Sequence, residues 1–215
     1  VSTDVLGRVI EVVSGLPLDR FVDERILQPL GMRDTAFSVP EAHQDRFAAL
    51  YTPRKGGGID VAETAEASVH RQGRVDTPLG GAGLLSTAGD YLRFAEMLRC
   101  GGSLGGERLL GPRTARLMRQ NHLPGDLASM GPKVWSETSF EGVGFGLGLW
   151  VMLEPARARM SGSPGDCGWG GMASTVFWID PAEELSVVFL TQLIPSDATP
   201  NRKELRALVH QAIVD

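Results

Sequence analysis

Cysteine is scarce in this sequence. Cys100 and Cys167 are the only two in 215 residues and show no Cys-x-x-Cys spacing, which excludes a disulfide scaffold and the usual zinc and haem motifs. The histidines His43, His70, His122 and His210 form no His-x-x-x-His pair, so neither a metal nor another cofactor is expected. Positive charge is sparse as well: Lys plus Arg number 21 against 26 Asp plus Glu, a formal charge of −5 without any basic block. That excludes a nucleic-acid groove and a polybasic membrane patch and favours a small or neutral partner. No apolar run nears the roughly 20 residues a bilayer span needs; the longest, Ser186 to Ile194, is broken by Thr191 and Gln192. The expectation is a soluble protein in a cytoplasmic setting.

Nucleophile motifs are missing too. No serine has a lysine three residues later, so the Ser-x-x-Lys pairing of a hydroxyl with a lysine base is absent. The run Ser161-Gly162-Ser163-Pro164-Gly165 does not match a Gly-x-Ser-x-Gly elbow, with Gly162 directly before Ser163 and Pro164 after it, and reads as a turn.

What is present is an ordinary globular composition, 42% hydrophobic and 22% charged, and enough chain for a substantial core. Val5, Val9, Ile10 and Val13 recur at helical spacing behind Ser2, Thr3 and Asp4, with Gly15 as a stop. A second helix starts near Asp19 and is ended by Pro29 and Gly31. Pro53 to Gly83 reads as one long loop, Ser86 as the cap of a helix through Leu98, and Pro112 as the first turn of another. The period then changes. Phe145 to Leu153, Met172 to Ile179 and Leu185 to Thr191 read as strands, the last two joined at Asp180-Pro181, and a helix with Leu205, Leu208, Val209 and Ala212 on one face closes the chain. The fold class is therefore α+β, an antiparallel sheet flanked by helices. With so few strands an edge stands open, which leads us to expect further strands N-terminal to Val1.

One segment has unusual chemistry. In Asp166-Cys167-Gly168-Trp169-Gly170-Gly171-Met172-Ala173, glycines enter a strand, which weakens it unless a ligand or another backbone comes close. Such a stretch can offer a backbone N–H to an oxyanion beside an indole wall; the competing reading is a β-bulge packed on a neighbouring loop.

Val5 to Gly15, Gln28-Pro29-Leu30-Gly31-Met32-Arg33-Asp34-Thr35-Ala36-Phe37, Gly81-Ala82-Gly83-Leu84-Leu85-Ser86-Thr87-Ala88-Gly89-Asp90 and Trp169-Gly170-Gly171 together resemble the serine hydrolase superfamily of class C β-lactamases and DD-peptidases. The Trp-Gly-Gly version of the third motif is similar to that of the β-lactamase-like carboxylesterases. The resemblance implies that residues 1–215 form the C-terminal major portion of a single β-lactamase-like domain, the part after the Tyr motif, with the Ser-x-x-Lys nucleophile helix and Tyr on a missing N-terminal segment. It further implies a carboxylesterase acting through an acyl-enzyme on a small ester. Trp169, Gly170 and Gly171 would bind substrate, Met172 N–H would be an oxyanion donor, and Asp4 would stand near the catalytic tyrosine. A β-lactamase, a D-amino-acid peptidase, an acyltransferase and a non-catalytic ligand-binding descendant are the alternatives. A side chain at Gly171 is expected to enter the space of the substrate carbonyl.

Overall fold

The computed structural model describes residues 1–70, 77–135 and 138–214. The first helix, α1 (Ser2–Ser14), carries Asp4 in its first turn and stops where Gly15 turns left-handed at φ 72° and donates its N–H to Glu11 O. The Glu11 carboxylate then accepts the Leu18 N–H at 3.0 Å, covering the start of α2 (Leu18–Val22). This helix runs through a π turn at Asp23–Leu27 into α3 (Gln28–Leu30). Pro29, read from sequence as a stop, is therefore carried inside; the widened turn before it alters the bonding ladder that a residue without an N–H would break. Gly31, at φ 65°, makes the stop.

The stretch expected as one loop opens with a hairpin, β1 (Leu50–Pro53) against β2 (Ile59–Glu63). Gly56, Gly57 and Gly58 all have positive φ in its turn, which glycine adopts without a Cβ clash. Residues 71–76 of that stretch lie outside the described residues. The cap of α4 (Ala88–Arg99) is Thr87 instead of Ser86: Thr87 Oγ1 accepts the Asp90 N–H at 3.2 Å. Ser86 Oγ instead lies 2.7 Å from Thr35 Oγ1. Asp90 Oδ2 in turn accepts from Asp34 N at 2.7 Å and Thr35 Oγ1 at 2.9 Å, tying the segment after Gly31 to the entrance of α4.

Short elements follow: the hairpin of β3 (Ser103–Leu104) and β4 (Glu107–Arg108), α5 (Pro112–Met118) with its proline in the first turn, α6 (Leu127–Met130), and the pair β5 (Val134–Trp135) and β6 (Thr138–Ser139). The main sheet contains β7 (Val143–Phe145), β8 (Trp150–Met152), β9 (Cys167–Gly170), β10 (Val176–Asp180) and β11 (Leu185–Phe189), with α7 (Pro155–Ala158) between β8 and β9. Its order is β11-β10-β9-β8-β7, antiparallel throughout. The α+β architecture stands, with five strands where sequence reading finds three. Phe145 to Leu153 is two strands, since Gly146 and Leu147 turn tightly over Met118, whose carbonyl accepts the Leu147 N–H at 2.9 Å. The strand expected from Met172 starts at Val176, and Met172 sits in the turn before it.

Alternation along the strands gives the sheet two different faces. Val151, Cys167, Phe177 and Ile179 join Leu30, Met97 and Leu98 in the main core under α4, where Tyr91, Phe94 and Phe177 pack edge to face with centroids 5.1–6.4 Å apart. On the other face lies α8 (Asn201–Gln211). Its buried residue is Arg206, whereas Leu208 of the expected apolar face is exposed. The Arg206 guanidinium stands 5.3 Å from the ring centroids of both Trp150 and Trp178, pairs with Asp166, and donates to Ser161 O. Asp180 and His210 complete this cluster, in which Asp166, Asp180 and His210 each place a ligand-type atom within 4.8 Å of the others. Arg206 supplies positive charge there.

Burial pushes the Asp166 carboxyl from its ordinary 3.8 up to about 7, with Arg206 opposing the rise and Asp180 adding to it. Because the folded value lies above the unfolded one, this group's contribution to stability is full below 3.8 and is lost as pH rises through about 7. Arg206 moderates that loss. Arg206→Met is therefore expected to cost on the order of 3–5 kcal/mol at pH 8, where Asp166 must either stay charged without its partner or take up a proton against the solution pH, and distinctly less at pH 5, where the buried carboxyl is already protonated. Urea denaturation at the two pH values measures both; an equal penalty at each would show that the ion pair does not govern this face.

Candidate active site

An apolar cleft of about 500 Å³ opens between α1, the Leu79–Leu84 segment and the end of β9. Leu6 and Ile10 line one wall, Leu79 and Leu84 another, and Trp169, Gly170 and Gly171 the third. Among its described lining residues there is no Asp, Glu, Lys, Arg or His. Tyr91 lines the floor, and burial raises its hydroxyl above the usual tyrosine range, so it stays protonated. The buried Cys167 is no hidden nucleophile: burial pushes its thiol up to about 12.

The α1 wall is fixed by close backbone contact. A Cβ on Gly80 would fall 2.0 Å from Thr3 O, and one on Gly81 would fall 2.5 Å from Thr3 Oγ1. Glycine is required at both for the chains to meet. The Gly81 N–H donates to Asp4 Oδ1 at 3.0 Å, so Asp4 clamps the first turn of α1 to the cleft wall without lining the cleft itself.

The β9 wall is regular. Cys167 pairs with Ile179, Gly168 with Trp178, Trp169 with Phe177 and Gly170 with Val176, with no register shift, so the bulge reading of these glycines does not hold. A Cβ at Gly168 would lie 2.1 Å from Phe177 O, one at Gly170 would lie 3.2 Å from the Arg202 guanidinium, and one at Gly171 would lie 2.3 Å from Thr175 Oγ1. What comes close is thus the protein itself, on the side away from the cleft or inside the turn. A side chain at Gly171 would meet Thr175 Oγ1, itself part of the cleft lining.

Trp169 is 47% exposed and packs edge to face on Phe145, ring centroids 5.6 Å apart. The β9–β10 turn closes with Gly171 N donating to Thr175 O at 2.9 Å. Met172, at its tip, is 78% exposed and not on a strand, and its N–H carries no hydrogen bond among the described residues. The structure therefore places Trp169, Gly170 and Gly171 on the cleft, Met172 just past its rim and Asp4 behind the opposite wall. Sequence reading missed Phe145, Thr175 and Arg202. Phe145 carried the one available signal, an aromatic directly after a strand glycine, whereas Arg202 meets Gly171 across 31 residues and gives none.

A family model described as Beta-lactamase matches residues 1–211. The chain is 36% identical over 203 residues to Protein Rv1367c of Mycobacterium tuberculosis, covering 90% of this chain and 48% of that protein. It is 34% identical over 205 residues to Esterase EstB of Burkholderia gladioli, covering 88% and 48%. Among solved structures it is similar to EstCE1, a hydrolase with promiscuous acyltransferase activity, with a TM-score of 0.75 and 30% identity over 97% of this chain and 54% of that one. The chain thus spans about half the length of these relatives.

Introducing Gly171→Ala should strain the turn against Thr175 and cost about 1–3 kcal/mol, an overpacking penalty. Removing the obstacle in Gly171→Ala/Thr175→Ala should recover most of it. A double-mutant cycle by chemical denaturation reads the coupling, and purely additive effects would show that Thr175 is not what excludes a side chain at this position.

Proposed function

We propose, from the premise that this chain belongs to the β-lactamase family, that its cleft is one wall of a serine hydrolase site that cleaves carboxylic esters through an acyl-enzyme. The observation that carries the choice of ester is the cleft's lining, apolar and without a charged side chain among its described residues, with the indole of Trp169 on its rim. A β-lactam or a D-alanyl peptide brings a carboxylate, which would enter a dry wall with nothing there to pair it. An ester is neutral and loses little on entering.

In this reading residues 1–215 are the C-terminal major portion of one domain. The Ser-x-x-Lys helix and the Tyr come from a segment outside this chain, and the exposed apolar stripe of α1, with Val5, Val9, Val12 and Val13, supports such a covering. The serine attacks the ester carbonyl, lysine and tyrosine move its proton to the leaving alcohol, and water then releases the acyl group. The oxyanion would lie between the serine's own N–H and that of Met172, which has no partner among the described residues beside the cleft rim. Asp4 acts through structure: its bond to Gly81 N holds the first turn of α1, and with it the residue preceding Val1, against the cleft. Acyl transfer to an alcohol is a second outcome of the same chemistry, favoured by the dry lining and by EstCE1's acyltransferase activity.

A protein carrying both this chain and the Ser-x-x-Lys segment is expected to hydrolyse short-chain p-nitrophenyl esters, to lose that turnover on replacement of the serine by alanine, and to cleave nitrocefin far less efficiently. This chain alone should show no turnover. Serine-independent hydrolysis, or nitrocefin cleavage rivalling that of the esters, would overturn the assignment; faster product release with added alcohol would identify transfer.

A further inference from the structure

We infer that Arg202 is a positioning residue for the oxyanion donor, acting from behind the sheet through the peptide group that joins Gly171 and Met172. The inference rests on the reading of Met172 N–H as that donor. Arg202 and Arg206 lie four residues apart on α8, hence on one helical face, and the burial of Arg206 against Trp150 and Trp178 fixes how far Arg202 can reach. Its Nη2 donates to Gly171 O and, at 3.1 Å, to Thr175 O. Thr175 O also accepts the Gly171 N–H at 2.9 Å, so one guanidinium clasps both ends of the turn. The absence of a side chain at Gly170 makes room for it, since a Cβ there would lie 3.2 Å from the guanidinium.

The carbonyl of Gly171 and the N–H of Met172 belong to one planar trans unit and point to opposite sides of it. Holding the carbonyl toward α8 therefore aims the N–H away from α8. A cationic donor on the carbonyl also draws electron density from the amide, making its N–H a stronger donor, as in any hydrogen-bonded chain with a charged end. Arg202 thus touches no substrate. It sets the direction and the strength of a group that does.

Arg202→Met and Arg202→Lys, made in the protein that carries the Ser-x-x-Lys segment, test this with two separate readouts. In Arg202→Met, kcat for a p-nitrophenyl ester should fall about 10- to 100-fold with KM little changed, since the donor is weakened and not removed; Arg202→Lys should lie between, and ethylguanidinium should restore part of the rate in Arg202→Ala. The second readout is the Met172 amide in 15N-methionine-labelled protein, identified by its loss in Met172→Leu. Its nitrogen resonance should move upfield in Arg202→Met, a change that loss of helix packing elsewhere would not confine to this residue. An unmoved amide overturns the inference. So does a moved amide with unchanged kcat in a protein that turns over esters. If the unsubstituted protein shows no ester turnover, the esterase reading fails, and the amide resonance still decides whether Arg202 polarises this peptide.

Discussion

The structure depends on where one guanidinium is buried. Arg206 comes from the last helix and enters a space bounded by two tryptophans, the Ser161 carbonyl and the Asp166 carboxylate. Taking a guanidinium and a carboxylate out of water costs several kcal/mol per ion, offset here by their direct pairing, by the Ser161 carbonyl and by the two indole faces. Asp166 directly precedes β9 and Asp180 ends β10, and the N–H groups of Ser163, Ala182 and Glu183 all donate to Asp180. One polar cluster therefore fixes the start of β9, the end of β10 beside it and the helix across them. Remove its cation and the geometry on the opposite face loses its reference.

That opposite face is built on the contrary principle. Cys167, Phe177 and Ile179 pack dry against α4, and the cleft beyond them is lined by aliphatic and aromatic groups. In such surroundings a backbone N–H aimed at developing negative charge is worth far more than in water, because no solvent competes for it. The division of labour across the sheet follows: the Arg206–Asp166 pair and Asp180 lie behind it, where they hold strands in place, and the described lining of the cleft in front carries no charged side chain. Arg202 links the two, a cation on the rear face whose effect reaches the front through a single peptide plane.

How far this was legible in the sequence depends on the range of the interaction involved. The α+β order, the β10–β11 hairpin at Asp180-Pro181 and the C-terminal helix rest on local periodicity and turn chemistry, and they stand where expected. The family segments were legible as strings, and the structure adds why two of them belong together: Asp90 of one accepts hydrogen bonds from Asp34 and Thr35 of the other. The failures are tertiary. β9 was read as glycines entering the strand from Met172 and not as a strand of its own, because the neighbours that demand glycine at 168 and 170, Phe177 and Arg202, lie elsewhere in the chain. The role of Arg206 escaped because a helical face is read by its apolar residues, and the partner that buries this arginine is 40 residues away. Ser86 and Thr87 are equal as caps on paper; Thr35 claims the first and leaves the second to the helix.

The glycines of β9 show what kind of site this is. A row of strand glycines invites the thought that a ligand comes close, yet each has its own neighbour from the protein: a carbonyl of β10 at Gly168, a guanidinium of α8 at Gly170 and a threonine hydroxyl at Gly171. Together they leave Trp169 as the one side chain between Gly168 and Met172, so that the rest of this wall is backbone. Backbone donors are positioned by what holds their peptide planes and cannot be moved by a rotamer change. The surroundings of such a site are consequently as specific as the site itself: Phe145 braces the indole, Thr175 accepts the closing bond of the turn, and Arg202 grips the carbonyl. Substitutions that leave Trp169-Gly170-Gly171 intact can still change its chemistry, because the determinants of where its N–H groups point lie on β7, β10 and α8.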